Sequence, residues 1–203
     1  MLFYELQRTE SATILRLAGD ETNRLTRSRV LALTEAATQL AAESAPKPLI
    51  ITGNQHFFSA GADLHEITAL TGPEAYDFAA MGQRLMNAVA NFPAPTCAAV
   101  WGYCMGGGLD LALACRHRIA HPHAVFGHRG AALGLITGWG GTQRLSRLVG
   151  KARALEMFTA AEKLHAKRAL EIRLIDAIAD DPISESLVHI RQFTARSRSH
   201  EGS

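Results

Sequence analysis

The stretch MGGGLDLALAC, residues 105–115, sets three consecutive glycines directly before an apolar run that carries a single carboxylate, Asp110. Three missing side chains in a row raise the entropic cost of ordering the backbone. Either something approaches that backbone closely, or the turn needs dihedral freedom that other residues lack. A phosphate loop would place a Lys-Ser/Thr pair at the start of the following helix, and GGGLDL has none. A dinucleotide fingerprint would add a third, spaced glycine and set its acidic residue about 20 positions further on. Here that glycine is missing and the acid lies inside the turn. Two readings remain from residue physics alone. In the first, the unpaired N–H groups at a helix start, at the positive end of its dipole, are left accessible to a substrate oxygen. In the second, a strand and a helix cross so tightly that only glycine fits.

Outward from the triplet, TCAAVWG (96–102) and PLIITG (48–53) predict buried strands, and HRIA (117–120) and AVFG (124–127) shorter ones. Two strand-like runs, LFYELQ and TILRLAG, open the chain around a polar turn at Glu10. Thr26–Glu43 carries Val30, Leu33, Ala37, Leu40 and Ala41 at helical spacing and ends at Pro46 and Pro48. A longer helix is expected from Gly72–Pro73 to about Asn91. GWGGTQRLSRLVG and KARALEMFTA predict two more helices, AKRALEIRLIDAIA another with an extended exit, and the tail from Ser184 a last one. The recurring unit is strand, glycine-rich turn, helix, which implies an α/β fold with sites at the strand-to-helix turns.

The totals exclude several classes of function. The 203 residues suffice for one core with a small helical appendage. A net charge of +2 draws much of its excess from RQFTARSRSH near the end rather than from a basic face, so no nucleic-acid partner is expected. No apolar run reaches bilayer length, and MLFYELQRTE carries charges where a leader would be apolar; a cytoplasmic protein with no membrane partner is the expectation. Cys97, Cys104 and Cys115 form neither an even set nor a metal-type pair and read as buried thiols. His117, His121, His123 and His128 match no common metal spacing and read as structural or solvent-facing. Ser59 lacks a recognisable His/Asp partner.

A second turn of small residues, in FFSAGADLHEI (57–67), precedes a helix with Asp63 near its start. Two such turns at neighbouring strand ends could each give one N–H to a single oxygen, and each donor of such an oxyanion hole contributes about 3 kcal/mol to a transition state. FSAGADLHEI, GYCMGGGLDLALACRHRIA, FGHRGAALGL and GWGGTQRLSRLVG, in that order, resemble the enoyl-CoA hydratase/isomerase (crotonase) superfamily from the first strand to about Asp180. The resemblance implies an α/β spiral of β-β-α repeats over residues 1–150. Residues 151–203 would form a shortened helical region for trimerisation and for covering coenzyme A, in a homotrimer or hexamer. It implies an acyl-CoA or acyl-carrier-protein thioester as substrate, with coenzyme A part of that substrate and no tightly bound cofactor. The carbonyl donors fall at Ala62 and Gly107. Ala60, Asp63 and Leu64, with His65 on the next helix, fall where the adenine and pantetheine are held. ETNRLT (21–26) matches the coenzyme A entrance, where Arg24 reads equally as a phosphate contact or a solvated charge.

The chain departs from the family pattern at its acid–base pair. Asp110 stands where hydratases carry one glutamate, and Gly130 where they carry the other. His128 and Arg129 flank that second position out of register, and Thr137 occupies a site where some relatives use an aspartate. With Asp110 as the single motif-placed acid or base, the expectation is an enoyl-CoA hydratase/isomerase-like enzyme, a poor hydratase, that stabilises a thioester enolate. The alternatives are a thioester decarboxylase or double-bond isomerase, or a catalytically silent family member that binds coenzyme A.

Overall fold

In the computed structural model, which describes residues 2–128 and 130–200, an antiparallel pair opens the chain: β1 (Tyr4–Arg8) and β2 (Thr13–Leu17). Thr9 closes their turn, its hydroxyl donating to Ala12 O and accepting from Ala12 N. Helix α1 (Arg27–Ala41) starts at Thr26, whose side chain accepts from Arg29 N, and buries Val30, Leu33, Ala37 and Leu40 at the expected spacing. There follow β3 (Leu49–Thr52), β4 (Phe57–Ser59), the single-turn α2 (Leu64–Thr68) and α3 (Gly72–Ala90), which begins at a Thr71/Glu74 capping box. The centre of the chain runs β5 (Thr96–Val100), β6 (Tyr103–Met105), α4 (Gly107–Ala114), β7 (His117–Ala120) and β8 (Val125–Gly127). Beyond a 3₁₀ turn at Gly130–Leu133 come α5 (Gly141–Val149), α6 (Lys151–Thr159), β9 (Leu164–His165), α7 (Ala166–Glu171), β10 (Ala177–Ile178) and α8 (Pro182–His200).

The strands form two sheets, ordered β1-β2-β3-β5-β7-β10 and β4-β6-β8-β9. In the first, every pairing after β1–β2 is parallel, and β3, β5 and β7 are buried along their whole length. Continuous burial of that kind is the mark of a parallel sheet covered on both faces. One face carries the main core, with Phe58, Met86, Leu109 and Trp139. The other is closed by α8, which brings Ile190 onto Ile14, Ile50 and Ile119. Each repeat sends its first strand (β3, β5, β7) to the larger sheet and its second (β4, β6, β8) to the smaller, then a helix. This β-β-α spiral is the expected α/β architecture.

Three short strands lie outside the sequence expectations. TCAAVWG does not run straight into the glycine triplet: β5 ends at Val100, and the chain turns at Gly102, φ +53, before β6 begins. A Cβ on Gly102 would overlap His56 O, so the turn tolerates no side chain. β4 and β6 have three residues each and β9 two, too few to show an alternating pattern. The three cysteines are buried free thiols as expected, and burial pushes the Cys97 thiol up to about 12. No helix among the described residues is long and apolar enough to cross a membrane.

A pH dependence follows from His117 in β7. Burial holds its imidazole down at about 4; the positive charges of Arg116 and Arg118 and neighbouring His189 act the same way, while Asp176, 3.9 Å away, opposes them. An unfolded histidine titrates near 6.5, so between pH 6.5 and 4 the unfolded chain binds more protons than the folded one. Stability should therefore fall as pH drops through that window, by on the order of 2 kcal/mol, and level off below it. Urea unfolding at several pH values measures this slope, and His117→Gln should flatten it.

Candidate active site

Parallel pairing of β4 with β6, Phe57 opposite Tyr103 and Ser59 opposite Cys104, sets two turns side by side. The first, Ala60–Asp63, is held from all directions. Ala60 N donates to Thr22 O and Gly61 N to Ser59 Oγ, while Gly61 O accepts from Leu25 N. Asp63 caps α2 by accepting from His65 N and Glu66 N. Ala62 N is the amide of this turn that donates to no described residue. In the second turn Gly106 N donates to Gly127 O, and Gly107 N begins α4, where no intrahelical acceptor exists. The two free amides adjoin: a Cβ built on Gly107 would stand 3.3 Å from Ala62 N, and one on Gly61 3.1 Å from Gly107 N. Both residues line one cavity of about 420 Å³.

The three glycines have three separate reasons. Gly106 adopts φ +50, which glycine reaches without strain. A Cβ on Gly107 would overlap the indole of Trp139, and one on Gly108 would lie 2.7 Å from Ser59 Cβ. Tight packing thus explains two members of the triplet, and Gly107 lines the cavity as well. Trp139 is itself fixed, its Nε1 donating to Phe78 O over 3.3 Å and its ring 5.4 Å from that of Phe78. A Cβ on Gly82 of α3 would overlap the same indole.

Asp110, the fourth residue of α4, is 1% exposed and lines the cavity. Its Oδ2 accepts from the Thr137 hydroxyl. Its Oδ1 lies 3.2 Å from His128 Nε2, within ion-pair reach but without an aligned hydrogen bond. Gly141, at the start of α5, leaves space that Asp110 Oδ1 occupies, so the carboxylate rests against a helix N-terminus. Arg144, one turn along α5, donates to Trp139 O and Asn87 Oδ1; burial lowers its pKa while the charge of Asp110 opposes that shift. Of the two readings the sequence leaves for His128, the solvent-facing one fails: the residue is 4% exposed, lines the cavity, and packs on Phe158 with ring centroids 5.1 Å apart. The signal was present in the period-two pattern after β7, which puts His128 on the face of fully buried Phe126. The other three histidines lie apart: His121 stacks on Trp101 with His123 beside it, and His117 meets His189. Among the described residues no group of three His, Cys, Asp or Glu is placed to hold a metal.

Gly130 also lines the cavity, but a Cβ there would lie 2.5 Å from Leu135 O, whose own N–H bonds back to Gly130 O. The backbone has closed over the position. Arg129 lies outside the described residues. Of the residues expected near coenzyme A, Ala60 and Leu64 line the cavity, whereas Asp63 and His65 do not. Arg24, half exposed, pairs with Asp63 Oδ2 at 3.1 Å. The apolar wall comes from Ile67, Leu70, Phe78, Leu133 and Ile136. From α3 it uses Ala75, Phe78 and Ala79, while Met81, Leu85, Met86 and Val89 further along the helix are buried in the core.

A family model described as enoyl-CoA hydratase/isomerase matches residues 10–200. The chain is 43% identical over 156 residues to a probable enoyl-CoA hydratase of Bacillus subtilis, a match covering 76% of this chain and 60% of that relative's length. It is similar to the solved structure of Pseudomonas aeruginosa DspI, with a TM-score of 0.90 and 30% identity over 95% of this chain and 74% of the other. It is likewise similar to an enoyl-CoA hydratase from Bacillus anthracis, with a TM-score of 0.84 and 30% identity over 98% and 76% of the two chains.

Because Trp139 fills the space above Gly82 and Gly107, Trp139→Ala should lower stability by about 3–5 kcal/mol. Chemical unfolding checks this, and an unchanged midpoint would contradict the packing role given to the indole.

Proposed function

Since the chain belongs to the enoyl-CoA hydratase/isomerase family, we propose that it binds an acyl thioester and stabilises its enolate between the N–H groups of Ala62 and Gly107. The observation that supports the reading is that these two amides, without a partner among the described residues, adjoin beside one cavity. A thioester oxygen placed between them gains negative charge as the α-carbon reacts, and fixed donors at a helix start stabilise that charge without reorganising. The apolar wall suits an acyl chain. Asp110, buried three residues beyond Gly107 on α4, lining the same cavity and with Thr137 on one oxygen, anchors the acid–base chemistry.

The thioester arm would leave past Ala60 and Leu64, with Arg24, Asp63 and His65 at the entrance, and would carry either coenzyme A or a carrier protein. Assembly as a trimer or hexamer in the cytoplasm is part of the proposal. The exposed apolar side chains of Leu133 and Ile136, beside the cavity, support a covering surface there. The second reading, a thioester decarboxylase or double-bond isomerase, draws on Gly130: a reaction that needs no carboxylate at that position tolerates a backbone closed over it.

Crotonyl-CoA, a 3-enoyl-CoA and malonyl-CoA separate the readings. Hydration of crotonyl-CoA should proceed at a reduced rate and fall by about 100-fold or more in Asp110→Asn. Isomerisation of the 3-enoyl-CoA without hydration, or decarboxylation of malonyl-CoA indifferent to Asp110→Asn, would select the second reading. Failure to turn over any of the three, with coenzyme A thioester binding intact, would leave a binding protein and overturn the catalytic proposal.

A further inference from the structure

His128 and Asp110 both line the cavity, buried side by side, and the two atoms that face each other are not joined by an aligned hydrogen bond. Asp110 Oδ1 and His128 Nε2 are both fully buried and lack an aligned hydrogen bond, although they lie 3.2 Å apart. Leaving a buried carboxylate oxygen and imidazole nitrogen unmatched costs stability, so a fold that keeps both calls for a functional reason. The surroundings restrain the pair. Thr137 holds Oδ2 of Asp110, α5 backs Oδ1 through Gly141, and the ring of Phe158 packs on the imidazole. Asp110 is thereby held through Oδ2, and its other oxygen lies 3.2 Å from the imidazole nitrogen.

We infer that His128 is the catalytic proton carrier of this site, replacing the carboxylate absent at Gly130, with Asp110 as its positioning residue. The inference rests on the thioester reading above and divides its acid–base work. With Nε2–H turned to Asp110, the neutral imidazole keeps Nδ1 as its base, the division of labour that a carboxylate imposes on histidine in hydrolase triads. For hydration, Nδ1 takes a proton from water as the water oxygen bonds to C3. The π electrons of the C2–C3 bond move onto the carbonyl oxygen held by Ala62 and Gly107. The imidazolium, stabilised by Asp110, then returns its proton to C2 as the enolate collapses, and the site regains its starting state. Isomerisation uses the same atoms: Nδ1 removes a proton from C2 and delivers it to C4. No other reactant is needed.

Exchange of the C2 protons of butyryl-CoA in D₂O, followed by NMR, isolates proton transfer from product formation. The wild-type chain should exchange them, and His128→Gln should be at least about 100-fold slower while binding the thioester as before. In His128→Ala, added imidazole should recover part of the rate; in Asp110→Asn it should not, because the defect there is the orientation of a ring still present. Wild-type exchange that persists undiminished in His128→Gln overturns the role of His128 and leaves the enolate reading standing. A wild-type chain that binds butyryl-CoA without exchanging its C2 protons overturns both.

Discussion

Parallel hydrogen bonding between β4 and β6 is the constraint on which the site depends. Ala62 comes three residues after the end of β4, and Gly107 two after the end of β6. Once the strands pair, their exit turns are obliged to adjoin, and the amide of each is brought to the same wall. Everything else holds those turns still. Ser59 ties the first turn to its strand and to Asn23 O, Asn23 Nδ2 bonds Phe57 O, and the Trp139 indole fills the space over Gly107. Preorganisation here is ordinary packing and backbone pairing, with the two unpaired N–H groups as its residue.

The long elements were legible because their periodicity is strong. Thr26–Glu43 gave α1 to within two residues, and the apolar runs around Leu49–Thr52 and Thr96–Val100 read directly as buried strands. The short strands β4 and β6 were not legible, since three residues cannot display a period, yet they carry the site. The triplet at Gly106–Gly108 was correctly singled out, but its causes differ residue by residue, and two of them lie in partners distant in sequence: Trp139 and Ser59. Position along the chain could place Asp110 in the site; it could not reveal Thr137 and His128 around it, because those contacts span 27 and 18 residues.

Between β8 and α5 the backbone is tightest at Gly130, which is folded against Leu135 O, so placing a side chain there would require the following loop to move. The same segment supplies Thr137 to Asp110 and leaves Leu133 and Ile136 at 57% and 72% exposure. One stretch of chain therefore closes the backbone at Gly130, holds Asp110 through Thr137 and presents an apolar surface beside the cavity.

The central claim is that the amides of Ala62 and Gly107 polarise a thioester carbonyl. The most direct measurement is the carbonyl stretch of crotonyl-CoA carrying a ¹³C label at C1, recorded by isotope-edited infrared difference spectroscopy when bound and when free in water. The account requires the bound stretch to move to lower frequency, because two fixed donors weaken the C=O bond more than mobile water does. A bound carbonyl at or above its frequency in water would contradict it.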